Sequence, residues 1–126
     1  MRTMLKSKIH RATVTGADVD YEGSITLDPV LMEAADIMPY EQVHVVDVNN
    51  GARLVTYAIA GTRGEGEVVL NGAAARLVHT GDIVIIISYQ DVPDEDVAAH
   101  RPRLIYPDVK NRIAKVSDGT HEPVAV

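Results

Sequence analysis

The chain has 126 residues and a net charge of −6, and it contains no Cys, Trp or Phe. That length suits one domain, 1–126, with a real core, while the missing cysteines exclude disulfides, thiolate metal sites and cysteine nucleophiles. Overall acidity argues against nucleic acid as a partner, because phosphate neutralisation needs clustered cations. In chain order, residues 4–14 alternate as a strand does, with Lys6, Lys8 and His10 on one face and Leu5, Ile9 and Arg11 on the other. This basic start on an otherwise acidic chain could attract a small anion. It has no secretory core, and no run approaches the ~18 apolar residues of a membrane span, so no membrane partner and a cytoplasmic location are expected.

Tyr21-Glu22-Gly23-Ser24 follows as a Gly-Ser junction after a strand-like segment. Asp28-Pro29 predicts a short helix to about Asp36, with Asp as N-cap and Pro at the first helical position. Its buried stripe would be Leu31, Ala34 and Ala35. Gln42–Val48 and Arg53–Ala60 read as a hairpin joined by Asn49-Asn50-Gly51-Ala52, whose Asn-Gly supplies positive-φ residues. Gly61–Gly66 is a turn, Glu67–Leu70 a strand, and Ala73–Val78 a helical turn. Ile83–Ile87 is the most apolar run and predicts a strand covered on both faces, in a barrel core or beneath a subunit contact. A helix-start loop at Pro93–Asp96 and a last strand at Arg103–Tyr106 precede a polar, aperiodic stretch that predicts a mobile tail over 107–126. Seven or so short strands with turn signals predict a mainly β chain, a small closed barrel with short helices.

Several chemistries find no support. His10, His44, His79, His100 and His121 are scattered without ligand-spaced partners, so no metal is expected, and His44 reads as an ordinary strand histidine. Gly61–Gly66 fits neither the phosphate-loop nor the dinucleotide pattern, and no Gly-x-Ser-x-Gly elbow is present. Gly23-Ser24 has special chemistry in one circumstance. Where the fold strains the Gly23 carbonyl, Oγ of Ser24 can attack it and turn the amide into an ester. Elimination and hydrolysis then leave a pyruvoyl group on the second fragment. Without a Cβ, Gly23 leaves that carbonyl approachable and lets the turn take unusual dihedrals. By itself the dipeptide is a common turn.

Tyr21-Glu22-Gly23-Ser24, Arg53-Leu54-Val55-Thr56-Tyr57 and Asn71-Gly72-Ala73-Ala74-Ala75 stand in a specific order and spacing. Lys8 and His10 lie upstream of them and Gly81–Ile85 downstream. Together they resemble the bacterial aspartate 1-decarboxylases, from Met1 to about Pro102. The resemblance implies a double-psi β-barrel that assembles as a homotetramer with active sites between subunits. It implies self-cleavage between Gly23 and Ser24, giving fragments 1–23 and 24–126, with a covalent pyruvoyl cofactor made from Ser24. The activity implied is conversion of L-aspartate to β-alanine and CO₂ for pantothenate and coenzyme A synthesis; some relatives need a helper protein to mature.

Carried over position by position, the resemblance makes Ser24 nucleophile and then cofactor, and Tyr57 the proton donor. It puts Lys8, Arg53, Thr56, Gly72, Ala73 and Ala74 at the substrate, and His10, Tyr21 and Asn71 in processing or support. The chemistry suits these residues. Arg53 offers a planar fork for a carboxylate, and a phenol of pKa about 10 stays protonated until a strongly basic carbon forms. Thr56 and Tyr57 are neighbours that strand alternation sends to opposite faces, so a bulge or a barrel end is expected there. The competing reading is a non-enzymatic small-ligand-binding β-barrel whose chain stays intact.

Overall fold

The computed structural model describes residues 1–119. His121 and the last part of the expected tail lie outside the described residues. The elements are β1 (Arg2–Thr13), β2 (Gly16–Asp18), β3 (Ser24–Leu27), α1 (Pro29–Ala34), β4 (Gln42–Asp47), β5 (Arg53–Ala60), β6 (Val68–Asn71), β7 (Ile83–Val92), β8 (Arg103–Pro107) and β9 (Ile113–Ser117). Single 3-10 segments, Gly72–Arg76 and Asp94–Ala99, follow β6 and β7. The fold is mainly β, with all nine strands in one mixed sheet ordered β2-β6-β3-β5-β4-β7-β1-β8-β9.

Two chain paths bend this sheet around one core. β5 pairs with β4 through Arg53–Tyr57, then with β3 through Ala58–Ala60. β1 pairs with β7, and the residues that follow it change partner: Val14 N–H donates to the Asp82 carbonyl and Thr15 N–H to the Val68 carbonyl, after which β2 pairs with β6. Consecutive residues therefore join the two ends of the run β6-β3-β5-β4-β7. Inside lie Ile9, Ile25, Leu27, Leu70, Ile86 and Ile105, all fully buried. Each is worth about 1.5–3 kcal/mol relative to exposure, and a core with no Phe or Trp rests on many such contributions.

Local chemistry shapes the strand ends. β1 carries register shifts between Leu5 and Ser7 and between His10 and Ala12, and Arg11 takes φ 69°. The second bulge corrects the expected alternation: Ala12 and Val14 turn inward and Arg11 is exposed, no longer on the face of Ile9. Asp28 caps α1 through Val30 N–H (2.9 Å), and its carboxylate also accepts from Gly64 and Gly66 N–H. Burial alone would raise its pKa; the three N–H donors outweigh that and hold it below the usual carboxylate value. The helix ends at Ala34 and buries Leu31 and Met32, so Met32 joins the expected stripe. In the β4–β5 turn only Gly51 has positive φ; Asn50 instead receives Ala52 N–H on its side chain.

The stretch after Pro107 differs from the expected aperiodic tail over its described part. β9 pairs antiparallel with β8. Asn111, buried at φ 61°, accepts from Thr13 N–H and donates to the Thr13 and Gly66 carbonyls. These contacts are polar and go to backbone, so they leave no apolar period to read.

Candidate active site

Ser24 opens β3 opposite Asn71 in the β3–β6 ladder. It is only 1% exposed. Its Oγ donates to the Glu22 carbonyl (3.1 Å) and accepts from Asn71 Nδ2 (3.0 Å), while the second Nδ2 hydrogen goes to Thr26 Oγ1 (2.9 Å). Asn71, itself buried, thus fixes the hydroxyl from one side.

Gly72 fits against the junction from the other side. At φ 73°, a Cβ there would stand 2.7 Å from Gly23 Cα and 2.8 Å from Gly23 N. At Gly23 a Cβ would meet nothing within 4 Å, and its φ is not in the left-handed region. The unusual dihedral expected at Gly23 belongs to Gly72. Glycine at 23 meets no steric demand of the folded chain, which leaves access to its carbonyl as the physical reason for it.

Gly23 faces a cleft of about 490 Å³ lined also by Leu54, Val55, Thr56, Tyr57, Asn71, Ala73, Ala74 and Leu77. Six residues singled out from sequence meet there: Gly23, Thr56, Tyr57, Asn71, Ala73 and Ala74. Ser24 and Gly72 adjoin it in the chain. The β4–β5 register runs unbroken from Gln42 opposite Tyr57 to Val46 opposite Arg53, so no bulge reconciles Thr56 with Tyr57. The cleft sits where β5 leaves β4 and takes up β3, and both faces of the strand are reached at that edge. The Tyr57 ring lies 6.2 Å from that of Tyr40, which is largely exposed.

Two other clefts have similar size. One, about 480 Å³, runs along Gln90–Pro93 and His100; the other, about 450 Å³, is lined by His10, Arg11 and Tyr106. Volume does not separate the three; only the first holds the Gly-Ser junction.

Lys8, His10 and Arg53 do not line the cleft. Val55, His44, Ile87 and Lys8 oppose one another across β5, β4, β7 and β1, so they share the sheet's outward face. Three strand spacings put Lys8 about 14 Å from Val55. Arg53 is on the same face, opposite Val46, with its guanidinium 3.4 Å from His44 Nδ1. Among the described residues neither Lys8 nor Arg53 forms an ion pair. His10 packs edge-on against Tyr106, with ring centroids 5.6 Å apart, and its Nδ1 is buried without a partner. Burial, then the charges of Lys8 and Arg11, hold its pKa below the ordinary histidine value and favour neutral imidazole. Tyr21 is 53% exposed; its carbonyl, not its ring, lies against Gly72.

Sequence reasoning missed Leu54, Val55 and Leu77 of the cleft wall, and Thr26 behind it. Thr26 stands two residues from Ser24, and Leu54 two from Thr56, so strand period could have found both. Leu77 follows a 3-10 turn and gave no signal.

Buried Ser24, the donor Asn71, the Gly72 notch and an open Gly23 flank can accommodate a group built from Ser24. The walls are mostly apolar, which lowers the local dielectric. A charge pair at ~4 Å is worth about 4 kcal/mol at an effective dielectric of ~20, against about 1 in water. Among the described residues, no three His, Cys, Asp or Glu gather as metal ligands would.

The family model described as aspartate decarboxylase matches residues 1–114. Two relatives, each called aspartate 1-decarboxylase, come from Dehalococcoides mccartyi strains CBDB1 and ATCC BAA-2266 / KCTC 15142 / 195. Both are 60% identical over 116 residues, covering 92% of this chain and 94% of their own length.

Proposed function

This chain belongs to the aspartate decarboxylase family, and from that premise we propose how its residues divide the work. The activity is conversion of L-aspartate to β-alanine and CO₂ in the pantothenate pathway, by a pyruvoyl enzyme of a double-psi β-barrel family. The pyruvoyl group, when formed, supplies the carbonyl that takes up the electrons released with CO₂.

In our reading the chain cleaves itself between Gly23 and Ser24. Asn71 orients Oγ for attack on the Gly23 carbonyl, and Gly72 makes room for the backbone to approach. Gly72, Ala73 and Ala74 bring main-chain groups close to the substrate because they lack bulk. Thr56 binds from the β5 edge, and Tyr57 delivers a proton to the α-carbon after CO₂ leaves. Arg53 takes a carboxylate and Lys8 adds charge. Neutral His10 and the Tyr21 backbone support processing.

The observation that carries this reading is the junction itself, with Ser24 held by Asn71 and Gly23 bordering the cleft. Lys8 and Arg53 stand on an outward face beside half-buried Ile85 and Ile87. That supports a homotetramer in which one subunit's outward face completes its neighbour's cleft. No described helix is long and apolar enough to cross a membrane, and we place the enzyme's work in the cytoplasm.

Intact mass of purified protein tests the proposal. Fragments 1–23 and 24–126 are expected, the larger blocked at its N terminus and sensitive to borohydride. Ser24→Ala should remain whole and make no β-alanine; decarboxylation by that variant would end the mechanism. An unbroken wild-type chain that binds a small ligand without turnover would favour the binding-module reading.

A further inference from the structure

We propose that buried Asp47 and partly exposed Asp82 form a carboxyl–carboxylate pair, with the proton on Asp47, and that this pair anchors the turn leading to Arg53 and to one wall of the cleft. Asp47 ends β4 facing inward and is fully buried. The turn is built on it. Its Oδ1 accepts from Asn49 N–H (2.8 Å) and Asn50 N–H (3.3 Å), its own N–H donates to the Ala52 carbonyl (2.8 Å), and its carbonyl accepts from Gly51 N–H (2.9 Å). The other oxygen, Oδ2, has no donor partner. Asp47 stands opposite Val84 in the β4–β7 ladder, so Asp82, two residues before Val84, comes to the same inward side and sets a second acid beside it. Two ionised carboxylates cannot hydrogen-bond, and a buried charge without a partner is costly. One proton between them removes both difficulties.

Position decides which residue keeps the proton. Asp82 reaches solvent, its side chain 17% exposed, and it accepts from His79 N–H (3.0 Å) with His79 Nδ1 at 3.9 Å. It is therefore the better anion. Burial first, then the contact with Asp82, push the Asp47 carboxyl above the ordinary value. The hydrogen bond from Asp47 first, then His79 N–H, hold Asp82 below it. The other titratable groups nearby, Arg53 and His44, lie on the opposite face of the β4–β5 ladder.

The pair reaches the site through the turn. Asn50 Nδ2 donates to the carbonyl of Leu77, a cleft wall, at 2.8 Å, and Asn49 Oδ1 accepts from Ile83 N–H at 2.7 Å. Arg53 begins the strand that leaves this corner. Asp47 is thus a positioning residue. A folded carboxyl with a raised pKa contributes stability that is complete below its unfolded pKa and lost as pH rises through the folded one.

The test uses matured wild-type enzyme, Asp47→Asn and Asp47→Ala, with melting temperature followed from about pH 5 to about pH 9. Wild type should lose stability on the rising limb above the ordinary Asp range. Asp47→Asn keeps the Oδ1 acceptor and donates to Asp82 at every pH, so its limb should be flat and its KM for aspartate within about twofold of wild type. Asp47→Ala should raise KM about tenfold with kcat within about threefold. A wild-type alkaline decline retained in Asp47→Asn overturns the proton assignment. Asp47→Ala matching wild type in both readouts overturns the anchoring role. Should Asp47→Ala fail to fold, Asp82→Asn serves instead: it can donate to an ionised Asp47, so its alkaline decline should vanish, and persistence refutes the pair. The KM arm rests on the proposed role of Arg53. The melting arm does not, and uncleaved Ser24→Ala should show the same decline, so failure of either reading can be told from failure of the other.

Discussion

At the scale of single residues, the site is a set of short polar contacts placed on an apolar cleft. Ser24 is held by Glu22 and Asn71, and Asn71 is shared with Thr26. Tyr57 takes no part in that triangle; it borders the cleft from β5 and touches Tyr40. Maturation and turnover therefore separate at this position. Tyr57→Phe keeps the ring and removes only the hydroxyl, so cleavage into two fragments should proceed near the wild-type rate. If the phenol delivers the proton to the α-carbon, kcat should fall about a hundredfold or more. A stopped assay for β-alanine alongside a denaturing gel measures both, and unchanged kcat would remove Tyr57 from the donor role. Ser24, Gly23, Thr56, Tyr57, Asn71 and the small residues after it were all legible in sequence, because the family motifs carry them. The contact between Asn71 and Thr26 was not. It arises from strand register, which no local run of residues encodes.

At the scale of elements, the junction works through two glycines with different demands. Gly72 needs its φ of 73° and has no room for a Cβ; Gly23 needs neither a left-handed backbone nor space. Gly72→Ala should then cost about 1–3 kcal/mol by overpacking, and shift the Gly23 backbone relative to the Ser24 hydroxyl. Thermal melting of the uncleaved protein would report the first effect and the rate of fragment formation the second. Wild-type values for both would show that the close approach of the two backbones is immaterial. Gly23→Ala should melt like the wild-type chain, so any loss of cleavage there belongs to the reacting carbonyl. Turn chemistry was readable where one residue type dominates, as in the Asp28-Pro29 cap and the positive φ of Gly51. It failed at Arg11, whose bulge is set by pairing with β7, and at Asn111, which plugs a gap between Thr13 and Gly66 using backbone partners.

At the scale of the whole molecule, one apolar run links the sequence to the proposed assembly. Ile83–Ile87 predicts a strand covered on both faces. Within one chain Val84 and Ile86 are fully buried, whereas Ile85 and Ile87 remain half-buried on the outward face. That face also holds Lys8 and Arg53, each without an ion pair among the described residues, and Val55 at 53% exposure. A cover supplied by a neighbouring subunit would bury the apolar half and bring the two cations to a substrate carboxylate. Ile87 lies between His44 and Lys8 in the middle of this surface. Ile87→Lys leaves the inner core untouched, so each chain should still fold. A third cation without a partner should oppose association, and light scattering should find monomers where the proposed assembly requires wild-type tetramers. Because a lone chain leaves Lys8 about 14 Å from its own cleft edge, activity should fall with assembly, by about a hundredfold or more. A fully active monomer would show that the outward face serves neither contact nor catalysis, and would leave the exposed side of β7 without a physical reason.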